Sequence, residues 1–196
     1  MAKSSMPFQR IKEWLDIEKS KGSSNPDCIV LATAGRDAIP HSRIVAIKEI
    51  TDSSILFFTQ PSTRKALEMK ENPVASATLW LPLQQREVIM DGIIHTLPDE
   101  ENESYWKQLP RERQLRFASY APTSDQPIES LEVLNQKQAL LTARYPTGHV
   151  LMNNLYCGYR LEIHTFYFYT LGGDSFSEYI RFKLVANDWQ KQLLSP

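Results

Sequence analysis

Five cations stand out as groups that could grip an anion: Arg43, Lys48, Arg64, Lys65 and Arg181. Arginine offers a bidentate fork suited to phosphate, and lysine a compact point charge. Arg64 and Lys65 fall at the start of an expected helix, where a cation opposes the helix dipole and a bound anion relieves the conflict. The same pair also reads as two solvated surface charges. Arg43 and Lys48 are spaced so that, in one unbroken strand, they would face opposite sides.

Other chemistries find little support. The chain has seven glycines and lacks both GxGxxG and the P-loop pattern, so side chains must hold any phosphate. His41, His95, His149 and His164 show no metal-binding spacing, and no metal is expected. No GxSxG motif marks a serine nucleophile. Glu100 and Glu101 read as solvated acids at a helix start. Phe166, Tyr167, Phe168 and Tyr169 alternate along a strand, giving one face to the core and the other to the core or to a cofactor wall. No catalytic residue is singled out.

These residues must be positioned by the elements around them. An amphipathic helix is expected around Phe8, Ile11, Trp14 and Leu15. Strands follow at 28–33 and 41–50 as a hairpin, then at 55–59. Ser62 or Thr63 caps a helix that Asn72-Pro73 stops near Glu71. Strands are expected at 74–80 and 87–96. Pro98 and the acids after it start a helix to about Leu109. Further helices are expected at 111–119 and 128–145, the second on the recurrence of Ile128, Leu131, Leu134, Gln138 and Leu141. The last third is β again, at 156–168, 179–185 and 189–194. Without βαβ alternation, the expected fold is mainly β (α+β): an antiparallel barrel with peripheral helices, in one domain over 1–196.

The bulk properties set limits. The chain has 196 residues, 42% hydrophobic and 23% charged, with net charge −1. That balance gives no basic stripe for nucleic acid. No apolar run approaches a membrane span, and no targeting segment is read at Met1 to Met6, so the expectation is a cytoplasmic protein. Cys28 and Cys157, far apart and in apolar stretches, are expected as buried reduced thiols.

Two segments carry a family resemblance. Pro40-His41-Ser42-Arg43-Ile44-Val45-Ala46-Ile47-Lys48 resembles the P-x-x-R-x-V-x-x-K segment of pyridoxamine 5'-phosphate oxidases. Phe57-Phe58-Thr59-Gln60-Pro61-Ser62-Thr63-Arg64-Lys65-Ala66 resembles that family's F-Y-T-x-x-x-S-R-K-A. Val30-Leu31-Ala32-Thr33 and Glu71-Asn72-Pro73-Val74 fit as well. The resemblance spans nearly the whole chain and loosens after about residue 110.

It implies an FMN-binding split β-barrel and a homodimer with FMN between the subunits. By position, Arg43, Ile44, Val45 and Lys48 line the FMN, Phe58 and Thr59 lie against it, and Arg64 and Lys65 hold its phosphate. The family's flavin glutamine becomes Glu87, which donates a hydrogen bond only when protonated. Its glutamine-serine pair falls at Thr123-Ser124, and its W-G-G at Tyr156-Cys157-Gly158. Its late tryptophan becomes Tyr169, and its final arginine is kept as Arg181.

The substrate side departs further. Lys48 and Tyr105 match phosphate contacts, but the family's arginine before proline is Leu109, and its serine falls near Arg113. The R-L-H-D-R signature becomes Ser177-Glu178-Tyr179-Ile180-Arg181, so Ser177 and Tyr179 replace the groups flanking a pyridine ring. Those losses weaken a phosphorylated pyridine if nothing replaces them. The implied function is an FMN-dependent oxidase of pyridoxamine 5'-phosphate oxidase type. The alternatives are an oxidase of another small substrate, as in phenazine-pathway relatives, or a non-catalytic FMN or pyridoxal phosphate-binding protein.

Overall fold

The computed structural model describes residues 6–152 and 154–196. The segment Met1 to Ser5, read above for targeting signals, lies outside the described residues. Among the described residues, nine strands and five helices form in the order α1(Met6–Ser20), β1(Cys28–Ala34), β2(Pro40–Ala46), β3(Glu49–Ile50), β4(Ser54–Thr59), α2(Arg64–Glu71), β5(Val74–Leu81), β6(Arg86–Thr96), α3(Asp99–Gln108), α4(Arg111–Tyr120), α5(Leu131–Arg144), β7(Cys157–Thr170), β8(Glu178–Val185) and β9(Asp188–Leu194).

All pairings are antiparallel, and the sheet runs β2-β1-β5-β6-β7-β4-β3 with β8 and β9 attached through β7. The long strand β7 explains the branching. One of its edges pairs with β6 along most of its length, while the other is shared by β4 at residues 157–162 and β8 at residues 165–170. Gly92 permits the bulge that keeps β6 and β7 in register, because a Cβ there would lie 1.9 Å from the Glu162 carbonyl oxygen.

Strand alternation sorts the two faces. Leu31, Ala77, Met90, Phe166 and Phe182 are register partners on the core side, and all are buried. Helix α1 covers this core with Phe8, Ile11, Trp14 and Leu15, and Phe8 meets Phe166 edge-on at 4.9 Å. The opposite face carries Ile44, Val30, Thr78, Ile89, Tyr167 and Arg181 as successive partners across six strands.

Three expectations are corrected. The strand expected at 41–50 breaks after Ala46. Ile47 N–H turns to the Asp27 carbonyl and Lys48 N–H to the Leu56 carbonyl, so adjacent residues bond to different strands and bring β2 towards β4. Helix α5 starts at Leu131, after the extended Ser130, and buries none of its residues; Leu131 is 75% exposed. Its recurring Leu134, Gln138 and Leu141 are half-buried, and Leu141 packs against the cluster of Trp106, Leu115 and Tyr156, so the recurrence marks a face that is only partly covered. Both cysteines are free, but they are half-buried rather than buried. No helix among the described residues is long and apolar enough to cross a membrane.

Candidate functional site

A cavity of about 640 Å³ opens between the β2–β3 bend, the end of β4, the start of α2, and α4 with the loop after it. The bend contributes Arg43 through Lys48 as one border. The strand break is what lets both Arg43 and Lys48 reach the same cavity. Phe58, Tyr156 and Phe117 form an aromatic wall, with Phe58 stacked on Tyr156 at 4.4 Å and Phe117 edge-on to Tyr156 at 5.0 Å. Gly158 makes this wall possible, since a Cβ there would come within 2.8 Å of the Phe58 ring.

The anion-binding end is built around α2. Lys65 is half-buried, and burial lowers its pKa; the nearby Arg43 adds to this, while Asp125 and Glu68 oppose it. A cation desolvated beside another cation is a place where a bound anion is stabilising. Lys65 Nζ also donates to Thr59 Oγ1 at 3.4 Å. An anion already lies at the helix start: Asp125 Oδ2 accepts the Arg64 backbone N–H at 2.8 Å. The Arg64 side chain itself is exposed and does not border the cavity.

Arg43 is fixed in place. Its guanidinium donates to Thr33 Oγ1 at 2.5 Å and to Glu68 Oε2 at 3.3 Å, and Thr33 in turn donates to Glu68 Oε2 at 2.5 Å. His41 Nδ1 lies 2.7 Å from Glu68 Oε1. The Glu68 carboxylate offsets the charge of Arg43 and leaves Lys65 as the less compensated cation.

Helix α4 is anchored from below and presents a functional face above. Buried Gln114 donates to the Trp106 carbonyl at 2.7 Å and accepts from Val150 N–H at 3.0 Å. Arg111 bonds the Tyr145 carbonyl. Arg113, Arg116, Phe117 and Tyr120 then line the cavity, at the spacing of one helix face. Sequence reasoning missed Arg116, Phe117, Tyr120 and Asp125, although that i, i+3, i+4, i+7 spacing was there to read.

The structure thus gathers Arg43, Ile44, Val45, Lys48, Phe58, Thr59, Lys65, Arg113 and Ser124 around one cavity. Thr123 lies beside it, in a smaller hollow that Ser124 also borders. Tyr105 does not border the cavity but packs behind its wall, its ring 5.3 Å from that of Phe58, and its hydroxyl donates to Glu49 Oε2. Burial and that hydrogen bond raise the Tyr105 pKa.

Glu87, Tyr169, Tyr179 and Arg181 form a separate group on the sheet face away from the core, at the far end of the row that begins at Ile44. Glu87, Tyr169 and Tyr179 are successive register partners, and the two tyrosine rings meet edge-on at 5.6 Å. Arg181 donates to Gln192 Oε1 at 2.5 Å. Ser177 Oγ accepts the Gly172 N–H at 3.2 Å in the preceding turn. Within one chain these residues do not meet the cavity around Lys65.

Comparison with known proteins decides the family. The pyridoxamine 5'-phosphate oxidase family model matches residues 15–138, most of the chain. The chain belongs to the pyridoxamine 5'-phosphate oxidase family. It is 28% identical over 192 residues to dihydrophenazinedicarboxylate synthase of Pseudomonas chlororaphis, covering 97% of this chain and 84% of that one. It is equally 28% identical to a pyridoxine/pyridoxamine 5'-phosphate oxidase of Zymomonas mobilis, over 97% of this chain and 98% of that one.

Among solved structures, PhzG from Burkholderia lata 383 in complex with tetrahydrophenazine-1-carboxylic acid superposes with a TM-score of 0.89 at 25% identity, covering 97% of this chain and 92% of that chain. A pyridoxamine 5'-phosphate oxidase-related FMN-binding protein of Nostoc punctiforme shares the fold, with a TM-score of 0.79 at 16% identity and 96% of each chain covered. The family's split β-barrel is therefore the fold of this chain, and the family is of oxidase type.

Proposed function

We propose that this family member is an FMN-dependent oxidase of a small ring substrate, working as a homodimer. The observation that carries the reading is the joining of two features in one cavity: an anion-seeking end at Lys65 and the α2 N-terminus, and an aromatic wall of Phe58, Tyr156 and Phe117. A flat ring bearing a phosphate tail needs both. The cavity volume also falls in the ordinary range for cofactor sites, roughly 300–1,000 Å³.

In this reading Lys65 holds the FMN phosphate, the Arg64 amide joins it once Asp125 yields that hydrogen bond, and the exposed Arg64 side chain turns in from outside the cavity. The bend from Arg43 to Lys48 and the Phe58–Thr59 pair border the rest of the cofactor, together with Thr123 and Ser124. Bound there, FMN supplies the hydride-accepting ring, and oxygen serves as the final acceptor. The protein's part is orientation and charge. Arg43, locked by Glu68, keeps the bend rigid, and the aromatic wall excludes water.

Glu87, Tyr169, Ser177, Tyr179 and Arg181 reach the flavin or substrate from a second copy. The outer sheet face supports this. Ile44 is 72% exposed, Trp80 47% and Val30 42%, an apolar surface of the kind that seeks a partner. Ile44 borders the cavity and shares a register row with Arg181, so a partner covering that face brings its own copy of the row to the cavity mouth.

The reading is tested by loading the protein with FMN and adding pyridoxine 5'-phosphate or a tetrahydrophenazine carboxylic acid without oxygen. Bleaching of the flavin band by either compound supports an oxidase. A yellow protein bleached by neither contradicts it and favours a non-catalytic FMN or pyridoxal phosphate-binding protein.

A further inference from the structure

Resting on the FMN reading, we infer that Asp125 is a latch: it occupies the phosphate site of the free chain as a self-ligand and passes to Arg116 when a phosphate arrives. Asp125 Oδ2 accepts the Arg64 N–H at 2.8 Å, where the first free amides of α2 would meet an anion. Thr63, the residue before the helix, makes no side-chain cap, so the acid comes from a loop 61 residues further along the chain. The same carboxylate reaches Lys65, whose pKa it raises against the burial that lowers it. The chain itself thus fills the site that a phosphate would take.

The loop that carries Asp125 is fixed at its root and loose at its tip. Ala121 is buried, its N–H bonds the Phe117 carbonyl, and its own carbonyl accepts Lys137. Residues 125–130 are exposed. Asp125 adopts the left-handed region at φ 67°, a conformation unfavourable for a residue with a side chain. A hollow of about 260 Å³ lies against the loop, bordered by Tyr120, Ile128 and Leu134, so the tip has room to shift.

The receiving group borders the same cavity. Arg116 lines it together with Asp125, and the Arg116 side chain has no ion pair or hydrogen bond among the described residues. Arg113 also lines it but stands one turn further from the loop along α4. A phosphate beside Lys65 brings a charge of about −2 up to the Asp125 carboxylate, and like charges in contact repel. Arg116 gives the displaced acid a new partner, so one ionic contact is exchanged for another. A small anion must open the latch by charge alone, whereas a flavin phosphate also gains the aromatic wall for its ring.

The test titrates the full chain, free of flavin, with FMN, riboflavin and inorganic phosphate. Flavin binding is read from fluorescence quenching. Phosphate binding is read from the amide NMR signal of Arg64, which needs no flavin. A latch lowers the affinity of every ligand that displaces it by one shared factor, because that factor belongs to the free chain. Asp125→Asn is therefore expected to tighten FMN and inorganic phosphate alike, by about three- to tenfold, and to leave riboflavin unchanged. Arg116→Gln weakens both phosphate ligands by about two- to fivefold, the size of an exposed ion pair, and has no effect in the Asp125→Asn background.

Unchanged or weaker phosphate binding in Asp125→Asn, a riboflavin gain as large as that of FMN, or clearly different factors for FMN and inorganic phosphate overturns the inference. So does an Arg116→Gln loss that persists beside Asp125→Asn, which would place Arg116 on the ligand itself. Inorganic phosphate that binds no variant overturns it as well. Phosphate binding with the expected Asp125→Asn gain, in a chain that takes up no FMN, overturns the cofactor reading and keeps the latch.

Discussion

Asp125 places its carboxylate 2.8 Å from the backbone nitrogen of Arg64, so a loop acid occupies the N-terminus of α2. That position gathers the positive end of the helix dipole, and Thr63 before it makes no side-chain cap there. A flavin phosphate held by Lys65 and α2 must share or displace this carboxylate.

Asp125→Asn should therefore tighten FMN binding about three- to tenfold, because the competing charge is gone while the loop keeps its shape. Quenching of flavin fluorescence on titration measures it. Weaker binding in the variant would show that Asp125 supports the cofactor rather than competing with it.

Arg64→Ala and Lys65→Ala should each weaken FMN binding by about 1–3 kcal/mol, the cost of a lost charge-assisted hydrogen bond. Unchanged affinity in either variant removes that side chain from the phosphate site.

Lys65 also sets a pH dependence. Burial lowers its pKa in the free protein, and a phosphate beside it would raise it again. Between those two values binding takes up a proton, so FMN affinity should fall as pH rises through the alkaline range. Isothermal titration at several pH values reads the slope, which Lys65→Gln should flatten.

Much of the fold was legible because alternation and punctuation were strong. Cys28–Ala34, Val74–Leu81 and Arg86–Thr96 alternate or run apolar between turn residues, and Asn72-Pro73 ends α2 near where it was expected. The break after Ala46 was not legible. It arises from the Asp27 and Leu56 carbonyls, long-range partners that no local pattern encodes. Helix α5 was legible in place but not in depth: Leu134 and Leu141 recur at helical spacing and are half-buried, while Leu131 stays exposed and no residue of the helix is fully buried. At the site, the two motif segments placed Arg43, Lys48, Phe58, Thr59 and Lys65 together. The role of Tyr105 depends on Glu49, and that contact only the fold reveals.

Tyr159 offers a stability test. It is buried against Phe57, and burial pushes its pKa up from 10.0 to about 12. The unfolded chain loses this proton first, so the stabilising contribution is complete below pH 10 and is lost as pH rises towards 12. The loss is about 3 kcal/mol at most. Tyr159→Phe should retain more stability than wild type between those pH values in urea titrations; identical pH curves would contradict the assignment.

Gly92→Ala should destabilise by about 1–3 kcal/mol or more, because its Cβ collides with backbone that cannot move without breaking the β6–β7 register. Denaturant midpoints measure this, and a wild-type midpoint would show that the bulge relaxes freely.

The most direct test of the account is a fluorescence titration of the purified chain with FMN, run in parallel on the Arg64→Ala/Lys65→Ala double variant. The account predicts saturable quenching at one FMN per chain in the wild type and a large loss of affinity in the double variant. A wild-type chain that leaves FMN fluorescence unchanged would contradict it.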